Sequence, residues 1–223
     1  MKFFLDSAKL DEIKFAMDAI GIEGVTTNPK HVKVTGKTFH EIIREFVDEF
    51  DGMPFPISVE INPHLSSSEE MEDAASKIAA LSDNFCIKIP CTEQGLLAAK
   101  NLVESGIKVN LTLVFSASQA LQGGRIGCTY VSPFIGWQES SGVRISRFIN
   151  DIIMIYDNYM FNTEIIVAAV RDGRQIVEAA TMGADIVTAG LPVYMKSFFH
   201  PFTNEGLKIF QDAWDETEIG KWE

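Results

Sequence analysis

A single lysine lies in the middle of a short apolar run, residues 85–90 (FCIKIP). Burying an ammonium ion without a partner is unfavourable, so a lysine in such a strand usually becomes neutral, and a neutral amine is a nucleophile. A desolvated lysine of this kind can form a Schiff base with a carbonyl substrate. The alternative is an edge-strand lysine whose long side chain reaches water. The groups that the fold brings to Lys88 decide between these interpretations.

Short apolar strand candidates alternate with amphipathic helix candidates along the chain. The predicted strands cover residues 2–5, 23–27, 57–61, 85–89, 108–114, 129–134, 164–168 and 185–188. Ser7, Thr38 and Ser67 are candidate caps for three of the intervening helices. Eight such alternations, without a linker or a shift in composition, predict an α/β fold, a (β/α)8 TIM barrel formed by residues 1–223 as a single domain. A doubly wound open sheet is the alternative, but residues 6–9 (DSAK) do not resemble its glycine-rich fingerprint.

An extra helix is predicted at the end of the chain, over residues 203–216. A TIM barrel does not need a helix there, because the eight strand–helix units are already complete. We therefore expect this helix to pack on a neighbouring subunit.

Composition and charge restrict the partners. The chain has 223 residues and a net charge of −12, which disfavours nucleic acid and anionic membranes as partners. An anionic substrate would therefore need a local basic pocket. Its three cysteines (Cys86, Cys91 and Cys128) show no metal-ligand spacing and suit a reducing compartment. No stretch approaches the ~20 apolar residues of a membrane span, and the first residues resemble a strand and not a signal peptide. We predict a soluble, cytoplasmic protein without a metal site.

Polar side chains stand at the predicted carboxyl ends of the first six strands. In a TIM barrel the active site forms at these ends. Each residue alone could be a helix cap, a turn former or a solvated strand end. Together they supply an amine, two carboxylates for proton transfer and hydrogen-bonding groups for a polyhydroxylated substrate. In strand order they are Asp6, Thr26 with Asn28, Glu60, Lys88, Asn110 with Thr112, and Ser132.

The motifs that contain these residues resemble those of the small transaldolase family, which includes the fructose-6-phosphate aldolases. They are VTTNP at 25–29, KIP at 88–90, TEQGL at 92–96, NLTLVFS at 110–116 and YVSPF at 130–134. The TTNP and KIP motifs at this separation are especially specific. The resemblance runs in order through nearly the whole chain.

The resemblance implies a Schiff-base mechanism on Lys88, with no metal or organic cofactor, because the iminium acts as the electron sink. Asp6 is expected to be the general acid/base at the hydroxyl whose deprotonation drives C–C cleavage. Glu60 and Thr112 are expected to position the water used in iminium formation and hydrolysis. The family also implies a ring-shaped homo-oligomer, often a decamer of two pentamers. Asn28, Asn110 and Ser132 are expected to hold the hydroxyls of the bound three-carbon unit, and Thr26 is a further candidate for substrate binding.

Two positions resemble the transferase branch of the family. The aldolase branch tends to have Gln where this chain has Glu60, and Tyr where it has Phe134. A carboxylate and a phenyl ring at these places favour transfer of dihydroxyacetone to an aldehyde acceptor over simple cleavage.

The chain departs from the family where the substrate phosphate is expected to bind. Trp137 replaces an arginine, and Ala169 replaces a serine, whereas Arg171 is retained and Lys30 adds a cation beside the site. Each lost charge-assisted bond to a phosphate dianion should cost ~1.5–3 kcal/mol. Trp137 could simply pack on the barrel rim and Lys30 could be solvated, which would leave a weakened ordinary transaldolase.

A changed substrate tail is the sharper hypothesis. A sulfonate carries one negative charge and needs fewer cations than a phosphate, so Trp137 with Arg171, and Lys30 or Gln138, would suit it. Some transaldolases within this family act on 6-deoxy-6-sulfofructose, and for this chain the resemblance would imply release of sulfolactaldehyde and transfer of dihydroxyacetone to glyceraldehyde 3-phosphate. We favour this donor over fructose 6-phosphate. A non-catalytic sugar-phosphate sensor is a third hypothesis, disfavoured by the intact lysine and carboxylates.

Overall fold

The structure, a computed structural model, describes residues 1–220. Eight parallel strands form a closed barrel in chain order, each paired with the next and β8 paired with β1. The predicted TIM barrel is therefore confirmed, with every strand within two residues of its predicted ends. The strands are β1 Lys2–Asp6, β2 Gly24–Thr26, β3 Ile57–Glu60, β4 Phe85–Pro90, β5 Val109–Val114, β6 Tyr130–Pro133, β7 Glu164–Val170 and β8 Ile186–Ala189.

Helices connect the strands and cover the outside of the barrel. Capping boxes at Thr38 and Ser67 begin α3 and α4 as predicted. The helices are α1 Leu10–Ala19, α2 Pro29–Thr35, α3 Phe39–Phe50, α4 Ser68–Ala79, α5 Glu93–Glu104, α6 Ala117–Ile126, α7 Ile135–Ser140, α8 Ile145–Tyr159, α9 Gly173–Met182, α10 Leu191–Ser197 and α11 Pro201–Asp215. In the described part of the chain, no helix combines the length and apolar character required to cross a membrane.

The helix starts differ from the sequence prediction in two respects. Ser7 does not cap α1, whose N-cap position is Lys9, because the Ser7 hydroxyl donates instead to Glu12 Oε2 at 2.7 Å. The short helices α2 and α7 were not predicted, since neither has a periodic apolar face long enough to recognise. Both follow strand ends, and both carry residues of the predicted site.

Alternation along the strands places the polar residues inside the barrel. A small apolar cluster of Phe4, Cys86, Tyr130, Ile166 and Ile186 comes from five different strands. Side chains two residues apart on a strand point to the same face. The residues two positions further on therefore also point inward, nearer the carboxyl ends: Asp6, Lys88, Ser132, Ala168 and Thr188. The apolar cluster is the floor on which these residues stand.

Two strands are interrupted near their carboxyl ends. The pairing register shifts between Leu111 and Val114 in β5, and between Val167 and Val170 in β7. Leu113 and Ala169 adopt left-handed backbone conformations there, with φ of 56° and 59°. Such bulges redirect a strand and are common beside active sites. Beyond these points, counting alternate residues no longer predicts which side chains point into the barrel.

Candidate active site

A cavity of about 510 Å³ opens at the carboxyl ends of the strands. It brings together ten of the twelve residues predicted to form the site: Asp6, Thr26, Asn28, Lys30, Glu60, Lys88, Ser132, Phe134, Trp137 and Arg171. The two others, Asn110 and Thr112, are fully buried and do not line the cavity.

Lys88 is buried at the base of this cavity, with 3% of its surface exposed. Its Nζ donates to the carbonyl oxygen of Thr27 at 2.9 Å and lies 3.4 Å from Glu60 Oε2. The sequence suggested a buried amine without a partner, whereas the fold supplies both an acceptor and a carboxylate. The amine is therefore held in one place and has a nearby group to which it can pass a proton.

The position of Lys88 depends on a close approach between β4 and α5. The N-terminal turn of α5 packs so tightly on the end of β4 that a Cβ at Gly95 would lie 1.9 Å from the carbonyl oxygen of Pro90. Thr92 caps the helix by accepting from the Gly95 N–H. Glycine at this position lets the helix reach the strand and fix its carboxyl end.

Asp6 is held by hydrogen bonds to both of its carboxylate oxygens. The Thr26 hydroxyl donates to Oδ1 at 2.8 Å, and His31 Nε2 lies 3.1 Å from Oδ2. Burial alone would raise the pKa of Asp6, but the hydrogen bond and charge of His31, the charge of Lys88 and the Thr26 hydroxyl together lower it below its usual value. Asp6 is therefore ionised, as a general base must be.

A second polar network lies beneath the cavity. Asn110 donates to the Ser58 hydroxyl at 3.0 Å and accepts from the Ser132 hydroxyl at 2.7 Å. Asn110 therefore acts on the cavity through Ser132, whose oxygen remains able to accept a hydrogen bond from a ligand. The structure places Asn110 one layer below the position expected from its motif.

Thr112 is also fully buried, on β5 next to Pro90 of β4. Its hydroxyl has no hydrogen-bond partner among the protein groups of residues 1–220. An unpaired buried hydroxyl is uncommon and calls for an explanation. A water held at this hydroxyl is the role expected from the family.

Asn28 serves both α2 and the cavity. Its Oδ1 accepts from the backbone N–H groups of Lys30 and His31, at 2.9 and 3.2 Å, which caps the helix. A substrate hydroxyl would therefore accept from the amide nitrogen of Asn28. The same cap places Lys30 and His31 on the first turn of α2, at the cavity mouth.

Trp137 and Arg171 line one end of the cavity, which we call the Trp137 end. Trp137 is 57% exposed, and its ring stacks on Phe115 at 5.6 Å and meets the edge of Phe134 at 6.2 Å. The Arg171 guanidinium donates to the Ser140 hydroxyl and crosses Gly136, where a Cβ would lie 2.9 Å from Nε. Trp137 and Arg171 are therefore positioned together by α7.

Glu139 fixes α7 against α9. Its carboxylate accepts from Arg174 and from the buried amide of Gln175, and Gln175 also accepts from the Arg171 N–H at 2.7 Å. These bonds tie the backbone of Arg171 to the helix that carries Trp137. The two side chains at this end of the cavity thus belong to one rigid unit.

Sequence reasoning missed His31 and Thr188, which both line the cavity. Thr188 shares a 2.6 Å hydrogen bond with Thr26, and His31 contacts Asp6. His31 could have been found from its position three residues after Asn28, the cap of α2. When a helix begins at a strand end, a residue on its first turn faces the same opening as the cap. Thr188 could have been found by counting two residues beyond the apolar Ile186.

The chain is similar to known proteins along nearly its whole length. A family model described as Transaldolase/Fructose-6-phosphate aldolase matches residues 3–219. A 6-deoxy-6-sulfo-D-fructose transaldolase from Priestia megaterium is 57% identical over 97% of this chain and 96% of its own length. Probable transaldolases from Dictyoglomus turgidum and Bdellovibrio bacteriovorus are 44% and 41% identical, over 97% and 98% of this chain and 99% of each relative. The resemblance inferred from the motifs is confirmed.

The two buried threonines provide a matched test of the hydrogen-bond assignments. Thr26→Val removes the hydroxyl that bridges Asp6 and Thr188, so we expect the free energy of unfolding to fall by about 1.5–3 kcal/mol. Thr112→Val exchanges an unpaired hydroxyl for a methyl group of the same shape, so a change within about 1 kcal/mol is expected. Chemical denaturation of the two variants beside the wild type measures the difference. Equal losses in both would contradict the assignments.

Proposed function

The chain belongs to the transaldolase/fructose-6-phosphate aldolase family, and from this premise we propose that it transfers a dihydroxyacetone unit from a ketose to an aldehyde through a Schiff base on Lys88. The observation that carries the proposal is the buried amine of Lys88, 3.4 Å from the Glu60 carboxylate. A nucleophilic lysine with a carboxylate in reach is what imine formation requires. Asp6 lines the same cavity, so a separate base is available for cleavage.

Imine formation uses Lys88 and Glu60. Glu60 accepts a proton from the Lys88 ammonium, and the free amine attacks the ketone carbon of the donor. Proton return from Glu60 lets the resulting hydroxyl leave as water, which gives the iminium ion. The unpaired Thr112 hydroxyl supports a role in holding this water near the reacting carbon.

Cleavage and transfer use Asp6. Its carboxylate takes the proton of the C4 hydroxyl, the C3–C4 bond breaks, and its electron pair moves to the iminium nitrogen, which becomes a neutral enamine. The first aldehyde leaves, and an acceptor aldehyde takes its place. The enamine then attacks the acceptor carbonyl while Asp6 returns the proton to the new hydroxyl. We assign binding of the hydroxyls of the three-carbon unit to the Asn28 amide and the Ser132 oxygen, a role supported by their place in the cavity lining.

For the donor we propose 6-deoxy-6-sulfofructose. The 57% identical relative from Priestia megaterium bears this substrate in its name. Besides Lys88, the lysine and arginine side chains that line the cavity are Arg171, which is partly engaged by Ser140 beside Trp137, and Lys30 on α2. A sulfonate monoanion needs less compensation than a phosphate, which carries about −1.5 to −2 charges at neutral pH. Fructose 6-phosphate is the alternative donor.

The acceptor limits how selective this pocket can be. Glyceraldehyde 3-phosphate, the proposed acceptor, carries a phosphate that must occupy the same end of the cavity. Some affinity for phosphate must therefore remain, and Arg171 and Lys30 are the groups that would supply it. Phe134 has no hydroxyl to assist release of the three-carbon unit to water, which supports transfer over simple cleavage.

We also propose that the chain forms a homo-oligomer through α11, with a decamer of two pentamers as the predicted form. No residue of α11 is buried within the described chain. Five large apolar side chains of this helix are exposed, namely Phe202, Leu207, Ile209, Phe210 and Trp214. A contiguous apolar surface of this kind is typical of a subunit interface.

A cytoplasmic location stays a prediction, which the cysteines support. Cys86, Cys91 and Cys128 are all free thiols. Burial raises the pKa of Cys91 to about 11 and that of Cys128 to about 12, so both thiols are poor nucleophiles at neutral pH. A protein that keeps three unpaired cysteines suits a reducing compartment.

Borohydride trapping tests the Schiff base. Reduction in the presence of 6-deoxy-6-sulfofructose or fructose 6-phosphate should fix the sugar carbons on the peptide that contains Lys88, as measured by mass spectrometry. Lys88→Met should abolish labelling, whereas Lys108→Met, which removes an exposed lysine on the far side of the barrel, should not. If neither ketose labels Lys88, the enzyme proposal is wrong and the sensor hypothesis leads.

Donor preference tests the role of Trp137. We expect the wild type to have a higher kcat/KM for 6-deoxy-6-sulfofructose than for fructose 6-phosphate. Trp137→Arg should shift the ratio of the two toward fructose 6-phosphate by about 10-fold or more, because a charge-assisted bond contributes about 1.5–3 kcal/mol. Leu97→Arg adds the same charge on the exposed face of α5 and should leave the ratio unchanged. A wild type that prefers fructose 6-phosphate would overturn the sulfonate proposal.

Light scattering tests the oligomer. The wild type should have a mass near that of ten 24.8 kDa subunits, and Phe210→Glu should lower it because a buried carboxylate opposes association. Lys208→Glu adds a negative charge on the opposite side of the same helix and should keep the wild-type mass. A monomeric wild type would contradict the proposal without affecting the assignment of the site.

A further inference from the structure

His31 is the one polar side chain of the cavity that contacts Asp6 and has no role in the reaction as described above. We propose that His31 is a positioning residue, which favours the ionised Asp6 carboxylate before cleavage and holds its orientation in both halves of the transfer reaction. The inference rests on the proposed role of Asp6 as the general acid/base.

The local structure fixes where the imidazole lies. Asn28 caps α2 and accepts from the His31 N–H at 3.2 Å, which places His31 on the first turn of the helix. From there Nε2 reaches Asp6 Oδ2 at 3.1 Å, while the other carboxylate oxygen accepts from Thr26. His31 is 31% exposed and Asp6 is 23% exposed in their side chains, so the contact lies at the inner edge of the opening.

Asp6 needs such a partner because of its setting. Burial in the barrel favours the neutral acid, and a neutral acid cannot remove a proton from the substrate hydroxyl. The Thr26 hydroxyl gives its single proton to Oδ1, and it therefore accepts from Thr188 at 2.6 Å, but it serves only one of the two carboxylate oxygens. The imidazole N–H is the donor at Oδ2, and its hydrogen bond contributes more than that of Thr26 to keeping the carboxylate charged.

The other charged groups around the site do not replace His31. Lys30 lies on its own helix, Glu60 on β3, Lys88 on β4 and Arg171 at the end of β7. The charge of Lys88 favours ionised Asp6, and Tyr194 of α10 stays a neutral phenol because burial and the charge of Asp6 raise its pKa. Within residues 1–220, the ion pair that His31 makes is with Asp6.

The charge on Lys88 changes during the reaction, whereas the contact between His31 and Asp6 does not depend on that charge. The iminium nitrogen on Lys88 is cationic before cleavage and neutral in the enamine, so its electrostatic support for Asp6 disappears after the first step. The proton from the C4 hydroxyl then resides on Asp6, and His31 keeps its own N–H. His31 therefore holds the geometry of Asp6 while the two aldehydes exchange, when the positive charge on Lys88 is absent.

The pH dependence of kcat/KM tests this inference, because it reports the ionisation of essential groups in the free enzyme. Wild type, His31→Leu, His31→Gln and His40→Leu are compared from pH 4 to 9 with the preferred ketose and glyceraldehyde 3-phosphate. Asp6 must be ionised, so activity is lost as pH falls through its pKa. In His31→Leu the pKa of Asp6 rises, and the acid limb should move up by about one pH unit or more. His31→Gln retains an N–H donor and should move the limb back toward the wild-type position.

Two further measurements separate this inference from the function on which it rests. Borohydride labelling of Lys88 should be equal in all four proteins, because imine formation does not use Asp6. His40→Leu, on the exposed face of α3, should behave as wild type throughout. If the wild type labels but His31→Leu lowers kcat/KM by one factor at every pH, or if His31→Leu and His31→Gln are indistinguishable, the positioning role is wrong. If the wild type does not label, the proposed function itself fails, and this inference with it.

Discussion

The buried amine of Lys88 is the constraint on which the rest of the site depends. The positive charge of a lysine inside a closed barrel must be balanced, or the amine must lose its proton. Here the Thr27 carbonyl oxygen lies 2.9 Å from Lys88 Nζ, and the Glu60 carboxylate lies 3.4 Å from it. Thr27 directly follows β2 and Glu60 ends β3, so the amine can keep its place only if strand register is exact to one residue. The close approach of Gly95 to Pro90 locks that register at the carboxyl end of β4.

The same alternation that builds the core also builds the site. Phe4, Cys86 and Ile186 fill the lower barrel, and each is followed two residues later by a polar group of the cavity. Side chains two residues apart on a strand point to the same side of the sheet. A slip of one residue in strand register would therefore turn both the apolar floor and the polar layer outward. Stability of the floor and placement of the catalytic groups are therefore coupled, and a variant that disturbs one should disturb the other.

The alternation of side chains along the strands also explains how much of the fold and of the site the sequence could predict. The strands and the two capping boxes follow from periodicity, and the ten predicted residues that line the cavity follow from the strand ends and the family motifs. Asn110 and Thr112 were expected at the cavity surface, but both are fully buried, and Leu113, in the β5 irregularity, lines the cavity instead. His31 was missed because it lies on α2, a helix of seven residues, which is too short to show a period.

Electrostatics at the two ends of the cavity follow different rules. At the Asp6 end, an ionised carboxylate must be kept inside the barrel, so donors are matched to each of its oxygens. At the Trp137 end the ligand brings the negative charge to a protein whose net charge is −12, so selectivity depends on how many cations are fixed locally. Arg171 is held by Ser140 and tied through Gln175 and Glu139 to the helix of Trp137. An arginine held in place beside an aromatic ring offers one positive charge in a fixed position and a weakly hydrated surface. This combination suits a sulfonate monoanion better than a phosphate. Lys30, on the first turn of α2, adds a second positive charge that is exposed at the cavity.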